Sequence, residues 1–200
     1  MSLFNWFNHY KDRSGLYWYI VEITYRIVDL KVLTNFKTIL GVGSGRAFLE
    51  NFLSKNRFVI ASDVNLKLMH LAKEHRKNIR DFIACDGFKL PFKDQSFDCA
   101  YSQGLMEHFE VTKAIKLLNE MSRVGENVVF SVPLQSYKGQ PLGIEYHRRP
   151  EEWLKILSNL FQFRKILFYP KKTEAVFIAS NKALPQFKRF KTIEPLKMLF

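Results

Sequence analysis

Between Lys37 and Ser180 the chain alternates short apolar runs with segments of helical spacing, and this alternation constrains its fold more than any other feature. The runs at 38–42, 57–62, 81–85, 97–102 and 127–132 are each five or six residues long and carry few charges in their centres. Between them, 46–55 places Phe48, Leu49, Phe52 and Leu53 on one face of a helix, and 66–77 does the same with Leu66, Met69 and Ala72. Segment 111–124 aligns Val111, Ala114, Ile115, Leu118 and Met121. A further helix over 150–161 opens with Pro150, Glu151 and Glu152, residue types favoured in a first helical turn. Strands that read as continuous apolar runs are covered on both faces, and parallel strands joined by right-handed crossovers through helices achieve that cover. The expected class is α/β, with a doubly wound, mostly parallel sheet. The end differs. Segments 163–169 and 174–179 are separated only by Pro170, Lys171, Lys172 and Thr173, which predicts an antiparallel C-terminal hairpin at the sheet edge.

A chain of 200 residues accommodates one such domain. Ahead of it, 16–33 spaces Leu16, Ile20, Ile23, Ile27 and Leu30 by alternate steps of four and three, with Glu22 and Arg26 paired at i, i+4 on another face. The organisation expected is a helical extension over 1–36, a ligand-binding domain over 37–182 and a basic tail over 183–200. The added N-terminal helix carries Tyr17, Trp18, Tyr19 and Tyr25, aromatic residues that suit either packing onto the sheet or a lid over a pocket.

The strongest local signal is Gly41-Val-Gly-Ser-Gly45, placed directly after the first strand and before a helix. Glycines belong where backbone must turn sharply and let a ligand approach, at a helix start whose amides face outward. A dinucleotide loop would require G-x-G-x-x-G or G-x-G-x-x-A. That test fails, because the last position is Arg46 counted from Gly41 and Phe48 counted from Gly43. Asp63 closes the second strand, twenty residues after Gly43, where its carboxylate can accept from the two hydroxyls of a ribose. Asp86 closes the third strand, where it can receive the exocyclic amine of an adenine. Three strand ends of matching character in register point to a nucleoside laid across them.

With these features the sequence resembles the class I S-adenosylmethionine-dependent methyltransferases, and in particular their small-domain type 11 branch. The matching stretches are Ile39-Leu-Gly-Val-Gly-Ser-Gly-Arg-Ala-Phe-Leu49, Val59-Ile-Ala-Ser-Asp-Val64, and Asp86-Gly-Phe-Lys-Leu-Pro-Phe-Lys-Asp-Gln-Ser-Phe-Asp98. Ala100-Tyr-Ser-Gln-Gly-Leu-Met-Glu-His-Phe109 completes the match. The resemblance implies a seven-stranded, Rossmann-like sheet with S-adenosylmethionine over the C-terminal strand ends and S-adenosylhomocysteine as product. It implies cofactor-binding roles for Gly41, Gly43, Ser44, Gly45, Asp63, Val64, Asp86 and Gly87, with Ser102 and Gln103 along the methionine portion. Two departures stand out: the family carries Asp or Glu where this chain has Gly41, and a last loop glycine where it has Ala47. The missing carboxylate helps hold the methionine end, so its loss implies weaker holding or another group in that role.

Displacement of a methyl group from a sulfonium asks the protein chiefly for orientation, and for a base if the acceptor must lose a proton. The candidates for that base are His108, just beyond the fourth strand, and His147, in Glu145-Tyr-His-Arg-Arg149. No nucleophile elbow and no P-loop is present in the sequence. The only cysteines, Cys85 and Cys99, have no neighbour at metal-ligand spacing, so no metal is expected. The formal charge of +12 admits an anionic partner, and Arg148, Arg149, Lys171, Lys172, Lys182, Lys188, Arg189, Lys191 and Lys197 put the basic excess in the C-terminal third. Phe187, Phe190 and Phe200 lie among those charges. A small-molecule acceptor is the first expectation and RNA the alternative; a non-catalytic protein that keeps the fold is a third reading. The apolar stretch 16–33 is broken by Glu22, Arg26, Asp29 and Lys31, so no membrane span or signal peptide is expected and a cytoplasmic location is.

Overall fold

The computed structural model describes residues 5–11 and 26–186. The helices are α1 (Trp6–Tyr10), α2 (Ile27–Leu33), α3 (Phe48–Leu53), α4 (Leu66–His75), α5 (Val111–Val124) and α6 (Pro150–Ser158). The strands are β1 (Thr38–Val42), β2 (Phe58–Asp63), β3 (Asp81–Ala84), β4 (Phe97–Gln103), β5 (Gly125–Pro133), β6 (Phe163–Phe168) and β7 (Glu174–Ser180), and one 3₁₀ turn spans Met106–His108. The strands form one sheet in the order β3-β2-β1-β4-β5-β7-β6. Strands β1 to β5 run parallel, while β7 pairs antiparallel with both β5 and β6. The doubly wound sheet and its antiparallel hairpin are therefore as the pattern predicts, with β6 at the edge.

Neighbouring residues of the central strands serve different cores, which is why those strands read as unbroken apolar runs. Leu40, Ala100, Val128 and Phe130 pack with Leu117, Leu118, Met121 and Trp153 on one side. Ile39, Cys99, Tyr101 and Val129 pack with Leu30, Leu33, Leu49 and Leu53 on the other. Chain order reverses direction beside β1, whose two neighbours are β2 and β4. Such a switch point opens a crevice outside the carboxyl ends of the strands.

Several helices depart from expectation. Segment 46–55 is helical only over Phe48–Leu53, because Gly45 (φ 52°) and Ala47 (φ 50°) are both left-handed and no regular turn begins before Phe48. The face it buries also differs: Glu50 is 4% exposed, whereas Phe52, expected inside, is 36% exposed. In α5, Leu117 and Val124 are buried and Val111 is exposed, a rotation of the expected stripe by part of a turn. The helix expected over 150–161 ends at Ser158, and its N-terminus is capped by the Glu152 carboxylate accepting from the Arg149 amide at 2.8 Å. Of the helix expected over 16–33, Ile27–Leu33 is helical, and the remainder up to residue 25, with Tyr17, Trp18, Tyr19 and Tyr25, lies outside the described residues. The tail residues Phe187, Lys188, Arg189, Phe190, Lys191, Lys197 and Phe200 lie outside them too. No helix among the described residues is long and apolar enough to cross a membrane.

Candidate active site

The bend after β1 is tied down from two sides. The Ser44 amide donates to the Ser62 carbonyl at 2.9 Å, and the Ser62 hydroxyl donates to the Gly41 carbonyl at 2.7 Å. The Gly45 amide donates to Asp63 Oδ2 at 2.9 Å, and the Asn65 amide to Oδ1 at 2.8 Å. Asp63 thus fixes the loop opposite its own strand end, and its desolvation by burial raises the carboxyl above its ordinary value against the pull of those two amides. Gly43 sits at φ 69°, and a Cβ there would come within 2.9 Å of Leu105 Cδ2, so the backbone shape and the close approach both select glycine.

Above this bend lies a cavity of about 540 Å³. Gly43, Ser44, Gly45, Asp63, Val64, Asp86, Gly87, Gln103 and His108 all line it, so the ends of β1 to β4 converge as the sequence implied. Val64 is 76% exposed, an apolar shelf beside two carboxylates. Asp86 is exposed and accepts from the Phe88 amide at 2.9 Å. Three of the candidates lie off the lining. Gly41 sits beneath the bend, Ser102 is buried within β4, and His147 donates through Nε2 to Glu145 Oε2 with its ring edge against Tyr137.

His108 follows the end of β4 in the 3₁₀ turn, with Nδ1 2.9 Å from the Ile144 carbonyl. A carbonyl only accepts, so Nδ1 carries the proton, and Nε2 is the acceptor nitrogen of the neutral ring. Among the described residues no group of three or more His, Cys, Asp and Glu side chains is placed to hold a metal ion.

The structure adds residues that sequence reasoning missed. Arg26, which spacing pairs with Glu22, lines the cavity and donates to Glu174 Oε2 at 3.0 Å, 148 positions away. With its amide oxygen toward Arg26, Gln103 accepts from Nη2 at 2.7 Å. Glu50 lines the cavity from α3. Glu107, next to His108, is 4% exposed, and burial, with Glu145 adding to it, pushes its carboxyl up to about 8. Position 50 had one legible signal, the absence of an acid at Gly41; a contact like Arg26 to Glu174 leaves none, because nothing local encodes it.

Residues 39–127 match the family model described as a methyltransferase domain. Over those residues the chain is similar to that family. The chain is 33% identical over 93 residues to a demethylmenaquinone methyltransferase of Paenarthrobacter aurescens (strain TC1), a match covering 46% of this chain. The chain spans only about a third (36%) of that relative's length. Among solved structures, a SAM-dependent methyltransferase of Aquifex aeolicus superposes with a TM-score of 0.68 at 18% identity, covering 88% of this chain and 98% of that one. Magnesium protoporphyrin IX methyltransferase of Synechocystis PCC 6803, solved with SAH bound, gives 0.66 at 14% identity over 88% and 93% of the two chains. Human N-acetylserotonin methyltransferase, in complex with SAM, gives 0.65 at 16% identity over 88% and 59%. Likeness at that distance is a likeness of fold, and it matches the seven-stranded sheet described above.

Proposed function

We propose that this chain transfers the methyl group of S-adenosylmethionine to a small-molecule acceptor, using the cavity over the ends of β1 to β4. The observation that carries the reading is the convergence of the glycine bend, Asp63 and Asp86 on one cavity large enough for a nucleoside with an amino-acid arm. The donor set fits that cofactor. Exposed Val64 offers a flat apolar contact for a base, Asp86 faces the same space for its amine, and Asp63 and Glu50 bring carboxylates to a cationic ligand. Bound there, the cofactor supplies an electrophilic methyl on a positively charged sulfur.

The protein's own residues then orient and exclude water. Leu105 and Phe109 close the wall beside Gly104 and His108, and His108 is the base for an acceptor that must lose a proton. Small-molecule acceptors are favoured by the names of the similar proteins, which refer to demethylmenaquinone, magnesium protoporphyrin IX and N-acetylserotonin. The test is calorimetric titration of the full chain with S-adenosylmethionine, followed by transfer of labelled methyl to a panel of quinols, phenols, carboxylic acids and amines, with RNA in parallel. Micromolar binding with transfer to a member of the panel is the expected result. Absence of binding would remove the methyltransferase reading, and transfer to RNA alone would remove the small-molecule one.

A further inference from the structure

Gly41 is the position where an acid is missing, yet nothing in its own backbone asks for glycine. The glycines in the left-handed region are Gly43, Gly45, Gly104 and Gly143, and Gly41 is not among them. What excludes a side chain there is Glu50. A Cβ built on Gly41 would overlap Glu50 Oε1 and lie 2.9 Å from Glu50 Cγ, with Ser44 Oγ at 2.5 Å. Residue 41 on β1 and residue 50 on α3 therefore compete for one volume, and in this chain the helix fills it with a carboxylate.

That carboxylate is set up to receive a cation. Glu50 is 4% exposed, and it forms no ion pair among the described residues. Burial pushes it up to about 7, and the charge of Asp63 acts in the same direction, against hydrogen bonding from its own backbone and from Ser44. A desolvated acid without a counter-ion is unfavourable, and a ligand that brings an ammonium group relieves it. Arg26 lines the same cavity with the opposite charge. A carboxylate and a guanidinium facing one space match the two charges of an α-amino acid, which is the arm that distinguishes the expected cofactor from a simple nucleoside.

We propose that Glu50, reaching in from α3, holds the amino group of the cofactor's methionine arm and stands in for the side chain that Gly41 lacks. The proposal rests on the methyltransferase reading, so its test is built to separate the two. S-adenosylhomocysteine carries the amino-acid arm; 5′-methylthioadenosine has the same adenosyl thioether without it. Both are titrated into the wild-type chain, Glu50→Gln, Glu50→Ala, and the double variant Gly41→Asp with Glu50→Ala.

Glu50→Gln should weaken S-adenosylhomocysteine binding about tenfold or more and leave 5′-methylthioadenosine within about twofold of wild type. The double variant, which returns the acid to β1, should recover affinity for S-adenosylhomocysteine. Gly41→Ala alone should lower the melting temperature, and that loss should vanish in the Glu50→Ala background, because the two side chains contend for the same space. Equal S-adenosylhomocysteine affinity in wild type and Glu50→Gln overturns the assignment while the methyltransferase reading stands. Parallel weakening of both ligands overturns it as well, since it marks a merely structural residue. A wild-type chain that binds neither ligand overturns the assignment and the underlying reading together.

Discussion

The Tyr101 hydroxyl, on β4, donates to Asp29 Oδ1, on α2, at 3.0 Å across 72 positions of sequence. Tyr169 donates to the other oxygen of the same carboxylate, and Asp29 is fully buried. The pair of hydroxyls fixes α2 against the sheet, and with it Arg26 one residue before the helix, at the cavity wall. Replacing Asp29 by Ala strands two buried hydroxyls and should destabilise the fold by about 3 kcal/mol or more. Tyr101→Phe, which removes one hydroxyl and leaves the carboxylate bonded to Tyr169, should cost about 1 kcal/mol. Urea unfolding of the two variants checks the ranking, and an Asp29→Ala chain as stable as wild type contradicts it.

Glu107 makes stability depend on pH in a stated direction. Its folded value, about 8, lies above the ordinary carboxyl value of 4.5. Between those values the folded chain holds a proton that the unfolded chain has released, so stability falls as pH rises through the window. The unfavourable contribution is complete above the folded value. Glu107→Gln keeps the shape and removes the titration, so at pH ~8 it should be more stable than wild type by roughly 4 kcal/mol, with the two converging near pH ~4.5. Glu50 is raised in the same direction, so the slope becomes shallower without vanishing. Denaturant midpoints measured across that range decide the matter.

His108 should separate chemistry from binding. Its ring lines the cavity with Nδ1 committed to the Ile144 carbonyl. For an acceptor that must lose a proton, His108→Ala should lower kcat about a hundredfold while cofactor affinity stays within about twofold. Unchanged kcat would take His108 off the catalytic list.

Asp63 and Asp86 line the same cavity under different structural loads. Asp63 secures the Gly45 and Asn65 amides, whereas exposed Asp86, among the described residues, holds only the Phe88 amide of its own turn. Asp86→Ala should therefore weaken cofactor binding about tenfold with little change in melting temperature. Asp63→Ala should lose affinity and also about 1–2 kcal/mol of stability, because the loop loses its anchor. Thermal scans paired with titrations distinguish the two, and identical behaviour of both variants would contradict the difference in load.

Which parts of this were legible follows from range. The strands, the glycine bend and the two strand-end aspartates are local patterns, and they lie where their spacing put them. The facing of α3 was not legible, because amphipathic spacing assigns Glu50 to solvent and Phe52 to the core, and the structure reverses both. The two left-handed residues ahead of the helix set that rotation, and Ala47 adopts a conformation its composition does not advertise. The partners of Arg26 and Asp29 lie 148, 72 and 140 residues away, so only the assembled sheet brings them together.

The alternation of central-strand residues between two cores divides what this architecture can and cannot vary. A single residue inserted into β1 would send Ile39 and Leu40 to each other's layer and carry the bend out of register with Asp63. Segment 137–146, which has no strand or helix and includes exposed Ile144 and Tyr146, is under no such constraint. Variation in that peripheral stretch is therefore free to proceed, while the half of the molecule that carries the glycine bend and Asp63 is held to one frame.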